Sequence, residues 1–183
     1  MRASIAYLTS TAATAAPLPV AGGAHHLEVL GWHRGERAVY LREHLGRAGS
    51  LLHVVRTRGE HAGRMIPIAA NDPRAAEVTP MVRISDELWS LTTRVVQRRA
   101  LRLPDSDRPI RKFAVQLTVE LVVGTAPPSR TVVTSYLRPR AQLDGIWAIP
   151  GESLALARIA YVGVPEGVGL DKHVAMLVGR DLH

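Results

Sequence analysis

The chain is predicted to be a mainly β (α+β) protein, built from antiparallel β-meanders with one helix at about 85–99. Three observations predict this. Residues 27–68 alternate short apolar runs with charged turns marked by glycine. Residues 112–123 alternate strictly between apolar and polar side chains. The 183 residues contain a single phenylalanine, so the core falls to Val, Leu, Ile and Ala, a composition that suits sheets. A small propeller-like or β-sandwich arrangement is the alternative packing of the same strands. At this length one domain is expected, with a meander subregion at 1–70 and a helix-plus-sheet subregion at 81–183.

Residues 1–24 are rich in Ala, Thr, Ser and Pro, with a short strand expected at 4–9 and a loop through Pro17, Pro19, Gly22 and Gly23. Ser4, Thr9, Ser10, Thr11 and Thr14 interrupt the apolar stretch that a secretory leader needs behind Arg2, so the cytoplasm is expected and export is the alternative. The meander then opens with the run 27–30, closed by Gly31 and followed by Trp32 and the polar string 33–37. Apolar residues return at 38–41 and 51–55, and again at Met65, Ile66 and Ile68, with Gly46, Gly49, Gly59 and Gly63 in the turns between. Runs of four to six residues bounded by such turns are the signature of hairpins. No run is long enough to be a stable helix without tertiary help.

The order Trp, charged turn with Gly, Val-Tyr-Leu, Gly turn, Leu-x-Val-Val resembles one blade of a β-propeller of the WD40 or TolB type. A fainter echo starts at Trp147, with 148–152 as the turn and 153–164 as the next strand. The resemblance covers about a third of the chain and implies meandering antiparallel sheet. It implies no catalytic residues.

Residues 69–80, with Asn71-Asp72-Pro73 and Thr79-Pro80, form a polar connection. The helix at 85–99 rests on its ends: Ser85 as N-cap, Asp86 and Glu87 in the first turn, and Arg98 and Arg99 in the last. Ile84 and Trp89 stand at staple positions, and Leu88, Leu91 and Val95 are spaced for one helical face. The β-branched pairs Thr92-Thr93 and Val95-Val96 argue against it. A Pro- and Asp-rich turn at 103–109 leads to the strand at 112–123. That strand is joined through 124–129 to a partner at 130–137, which ends before Pro139. Two last strands, 154–164 and 173–178, flank a turn-rich connection at 165–169.

Absence of cysteine excludes disulfides, thiolate nucleophiles and Cys-ligated metal. No segment approaches 18 uninterrupted apolar residues, so no membrane span is expected. The net charge of +7 is carried almost wholly by arginine, the only lysines being Lys112 and Lys172. Because the arginines are spread along the chain, a GC-rich coding sequence of bacterial character accounts for them; the functional alternative is an anionic partner. Two groups are placed to contact phosphate: Arg94, Arg98, Arg99 and Arg102, and around the hairpin Arg130, Arg138 and Arg140. On a helix Arg94 and Arg98 would share a face. Neither group is interleaved with the aromatics that single-strand binders stack on bases.

Eight histidines invite a metal reading, but their spacing fits no compact ligand motif, and neither metal nor cofactor is expected. Gly151-Glu152-Ser153-Leu154-Ala155 resembles a degraded nucleophile elbow, with Asp171 and His173 later in the chain; Ser153 and His173 are the catalytic candidates of a serine hydrolase. No other constellation carries acid–base or nucleophilic chemistry. The expectation is a non-enzymatic binding or interaction protein whose partner is another protein or an anionic ligand. Nucleic acid bound by the arginines is the first alternative, and the hydrolase is the second.

Overall fold

The computed structural model describes residues 25–102, 107–165 and 169–180. Within them the chain is mainly β, with three antiparallel sheets and two short 3-10 turns. The strand expected at 4–9 and parts of the turns at 103–109 and 165–169 lie outside the described residues.

The first sheet is the meander read from the sequence. Its strands β1 (His26–His33), β2 (Ala38–His44), β3 (Ser50–Arg56) and β4 (Met65–Ile68) pair in chain order. One detail differs from expectation. Gly31 does not close β1 but lies within it, where the register shifts between Val29 and Gly31. Its φ of +153° suits glycine, and a Cβ there would run into the Thr79 carbonyl. The shift lets Leu27 and Trp32, which differ in parity, both turn inward and be buried. The outer face of this sheet is covered by the connection that follows: Ala75 and Val78 pack on Ala38, Tyr40 and Val54, and Thr79 exchanges backbone hydrogen bonds with Trp32.

The strands that follow are β5 (Val82–Ile84), β6 (Trp89–Leu101), β7 (Ile110–Leu121), β8 (Ser129–Tyr136), β9 (Ala141–Ala148), β10 (Leu154–Tyr161) and β11 (Lys172–Gly179). The second sheet has the order β11-β10-β9-β5, and the third has the order β6-β7-β8.

The second sheet is the middle layer. On β10, Ala155, Ala157, Ile159 and Tyr161 point into one core with Phe113, Val115, Leu117 and Val119 of the third sheet. Leu156, one residue out of phase, points the other way, into a core with Leu27, Trp32, Val39, Leu41 and Val55 of the first sheet. A strand buried on both faces reads as a near-continuous apolar run, as Leu-Ala-Leu-Ala-Arg-Ile-Ala-Tyr does. Each fully buried Leu or Ile here contributes about 1.5–3 kcal/mol. Among the described residues the first and third sheets share no core cluster, and the second sheet contributes to the core of each.

The helix expected at 85–99 is not formed. Ser85 and Asp86 begin a single tight turn, with the Glu87 N–H 3.4 Å from the Ser85 hydroxyl and the Trp89 N–H 3.0 Å from the Asp86 carbonyl. From Trp89 the chain is the 13-residue strand β6, laddered along its length to β7. The capping signals are real but cover one turn, whereas Thr92, Thr93, Val95 and Val96 favour strand and the neighbouring strand supplies the pairing. Trp89, Leu91 and Val95 still face the core, now at the period of a strand.

Candidate functional site

The third sheet has one face on the core and one in water. On β7, Phe113, Val115, Leu117 and Val119 are buried, while Lys112, Ala114, Gln116 and Thr118 alternate outward. Residues opposite each other in an antiparallel pair point to the same side. The outer face is therefore set by register: Thr92–Thr118–Arg130, Arg94–Gln116–Val132, Gln97–Ala114–Thr134 and Arg99–Lys112–Tyr136. These rows lie about 7 Å apart along strands spaced about 4.8 Å.

The register corrects the expected grouping of arginines. A bulge between Val95 and Gln97 shifts the parity of β6. Arg94, opposite Gln116, and Arg99, opposite Lys112, thus share the outer face, whereas Arg98, opposite Phe113, points to the other side at the sheet's end. Arg130 stands on the outer face of β8, opposite Thr118. Arg138 and Arg140 lie in the turn after β8, at the end where Leu137 donates to the Arg111 carbonyl at 2.8 Å. Arg102 follows β6 at that same end. All seven predicted arginines are exposed, and six of them cluster with Arg111 and Lys112 on the face or at one end of one sheet, with Arg130 at the other end of the face.

The charge is segregated more sharply than its spread along the sequence suggests. Residues 89–140 hold ten of the 23 Arg and Lys residues but only three of the 16 Asp and Glu residues, a net of +7, and the rest of the chain is balanced. Elsewhere five arginines pair with acids: Arg37 with Glu152, Arg42 with Glu28, Arg56 and Arg74 with Glu36, Arg74 with Asp72, and Arg158 with Asp144, while among the described residues Arg34, Arg47, Arg58, Arg64, Arg83 and Arg180 have no carboxylate within 4 Å. Among the described residues, none of Arg94, Arg98, Arg99, Arg102, Arg111, Lys112, Arg130, Arg138 and Arg140 has a carboxylate within 4 Å. Sequence reasoning missed Arg111, Lys112, Gln97 and Thr134 as members of this surface. The signal for Lys112 was its place on the polar side of the 112–123 alternation; its neighbours there depended on β6 being a strand.

A second polar cluster joins the first and second sheets. Glu43 is buried between His25 and His53, at 3.2 and 2.9 Å. Burial pushes its carboxyl up, but the two histidine hydrogen bonds outweigh this and hold it below the usual glutamate value. His173 bonds the Asp144 carboxylate through Nε2 at 3.1 Å and the His25 carbonyl through Nδ1 at 3.0 Å. Arg158 forms an ion pair with Asp144 at 2.8 Å and donates to the Leu27 carbonyl at 2.6 Å, and its guanidinium lies 4.9 Å from the centre of the Trp147 ring. Asp144 is likewise pushed up by burial and pulled further down by His173 and Arg158, so that its carboxyl ends below the usual range. Burial, reinforced by Arg158 and His173, lowers the neighbouring His26. These contacts fasten β1 to β10 and β11, while His53 Nδ1 and Arg158 Nε stay buried without a hydrogen-bond partner. Among the described residues, no three His, Asp or Glu side chains converge so as to hold a metal ion.

The hydrolase geometry is not assembled. Ser153 lies in the turn before β10, beside Leu154, which pairs with Gly179; His173 pairs with Ala160 near the far end of the same two strands. The separation is roughly 20 Å at the rise of a strand. Both ring nitrogens of His173 are engaged, so neither is free to take a proton from a hydroxyl. The Gly151 turn is a hairpin between β9 and β10, without the helix that a nucleophile elbow needs.

No family model matches the chain, and neither curated proteins nor solved structures give a match.

Proposed function

We propose that the chain is a binding protein, not a catalyst, and that its binding surface is the basic outer face of the third sheet, which takes a polyanion, with nucleic acid as the partner. The observation that carries this is the set of exposed cations on one sheet that have no carboxylate within 4 Å among the described residues, in a chain whose remaining formal charge is balanced. Like charges gathered on one surface repel, a cost that an anionic partner offsets on binding. The neutral residues on the same face suit phosphate as well. Thr92, Thr118, Thr134, Gln97 and Gln116 carry hydroxyl and amide donors, which together with Arg and Lys make up most protein contacts to a nucleic-acid backbone. Tyr136 stands alone, without the successive aromatics that read unstacked bases, so recognition is of backbone and not of sequence.

The test is binding of a labelled oligonucleotide across a salt series. Contact with four or five phosphates gives a log–log slope of roughly −4 for a duplex. Arg94→Glu with Arg99→Glu, which share a face, abolishes most of the binding. A parent that fails to bind at low salt, or a double variant that binds as the parent does, overturns the reading.

A protein partner is the second reading, and a different surface favours it. Leu88, Val122 and Val123 are 55%, 62% and 79% exposed, and the Val122 N–H bonds the Leu88 carbonyl, so they form one apolar patch at the other end of the sheet. Sedimentation of the parent against Val122→Ser/Val123→Ser tests whether this patch associates.

A further inference from the structure

The basic face has a hollow in it. The row Gln97–Ala114–Thr134 has a methyl group at its centre, where the neighbouring rows have Lys112 and Gln116. The result is a shallow, solvent-open cleft of about 170 Å³ lined by Gln97, Arg99, Lys112, Ala114 and Thr134. That is room for roughly five waters at about 30 Å³ each, enough for a tetrahedral oxyanion and part of its hydration.

Its lining is one-sided in chemistry. With the Gln97 amide oxygen turned toward Arg99, it accepts from the guanidinium Nε and Nη2 at 3.2 and 2.9 Å, the orientation that satisfies both groups. This bond ties the Arg99 guanidinium to Gln97 in the lining of the hollow, and the Gln97 amide N–H2 is a further donor there. The Lys112 ammonium and the Thr134 hydroxyl complete a ring of donors. No carboxylate within 4 Å competes for Arg99 or Lys112 among the described residues. The β6 bulge is what makes this possible, since without the shift at Val96 Gln97 and Arg99 would face the other side.

We infer that this hollow is a phosphate-binding subsite, in which Arg99 and Lys112 supply the charge and Gln97 and Thr134 orient the oxygens. The inference deepens the polyanion reading and rests on it for the identity of the macromolecule: the hollow takes one backbone phosphate and sets the register of the strand across the sheet. Arginine presents parallel donors to two oxygens of a phosphate, while lysine acts as a point charge on a third.

The experiment has two arms. In the first, inorganic phosphate is titrated against chloride at constant ionic strength and followed by amide NMR. Selective, saturable shifts are expected at the Gln97 side-chain amide and at Ala114 and Thr134, and not at Arg130. In the second, Ala114→Leu fills the hollow without changing any charge. It is expected to erase those shifts, to weaken oligonucleotide binding about tenfold, and to reduce the salt slope by about one unit. Lys112→Gln, on a solvent-facing position, gives the same slope change if the leucine disturbs the sheet. Phosphate shifts that are absent or spread over all the arginines, together with an Ala114→Leu protein that binds oligonucleotide as the parent does, overturn the subsite. The polyanion reading then survives if Arg94→Glu/Arg99→Glu still loses binding. If the parent ignores oligonucleotide but shows the localised phosphate shifts, the polyanion reading falls and the hollow stands as a site for a small phosphate ligand.

Discussion

The paired arginines of the first two sheets and the unpaired ones of the third put the same guanidinium group to opposite uses. Arg158 is 12% exposed, forms an ion pair with a carboxylate, donates to a backbone carbonyl, and lies against an indole. Arg94 and Arg99 stand in water on a strand whose outward neighbours are Thr, Gln and Lys. The difference comes from which strand lies opposite. β10 is buried on both faces, so a charge there must be paired where it sits. β6 is an edge strand with one solvated face, where arginine holds its charge at little cost and also deters edge-to-edge pairing. The teaching is that net charge locates nothing until it is divided into paired and unpaired parts.

The largest effect expected from that comparison is on binding. Reversing Arg94 and Arg99 removes two attractive contacts and adds two repulsive ones. Affinity for an oligonucleotide at low salt should fall by about 10²–10³-fold, with a loss of about two units in the salt slope. Stability should change by no more than about 0.5 kcal/mol, as for surface substitutions generally. Urea unfolding alongside the binding series checks both halves. A double variant that unfolds early would show that these arginines belong to the structural class.

The converse variant is Arg158→Met. It keeps the apolar stem near Trp147 but strands Asp144 beside His173 and frees the Leu27 carbonyl. Losing one partner of a fully buried pair costs about 3–5 kcal/mol. Asp144 is 37% exposed and water can reach it, so about 2–3 kcal/mol is expected. Oligonucleotide affinity under conditions where the protein stays folded should be unchanged. A fall in affinity at constant stability would place Arg158 in the binding surface and erase the division.

How much of this was legible beforehand differs between the two regions. The first sheet could be read because each of its strands is a short run with a glycine turn behind it, and each turn connects neighbours. β9 was missed because Asp144 and Gly145 interrupt its apolar pattern. Both belong there for tertiary reasons: Gly145 has φ +155°, and a Cβ would come within 2.6 Å of the Trp147 ring, while Asp144 answers Arg158 and His173. β6 was misread as a helix because the Ser85 and Asp86 signals are local, whereas the ladder to β7 is not. The same error misplaced the candidate site. All seven arginines were named, but a helix pairs Arg94 with Arg98, and a bulged strand pairs Arg94 with Arg99. A bulge is set by how two strands fit, and nothing in the residues 94–99 alone announces one.

The smallest expected effect, and the finest test of the division, is that of pH. Glu43 and Asp144 both have carboxyls held below their ordinary values in the folded chain, burial opposing and the histidine and arginine contacts prevailing. For a depressed carboxyl the sign is clear. The unfolded chain takes up the proton first as pH falls, so the stabilisation is fully present above the ordinary carboxylate value and drains away as pH drops through the folded one. Stability should therefore decline on acidification below about pH 4.5, and Glu43→Gln or Asp144→Asn should each flatten that limb while lowering the plateau above it. Oligonucleotide affinity, resting on a surface that includes neither carboxylate, should by contrast hardly move between about pH 6 and 9 at constant ionic strength. Chemical denaturation across pH, run beside binding, compares the two. If affinity followed the acid limb of stability, the basic face would depend on the buried carboxylates for its shape, and the two populations of charge would be one system.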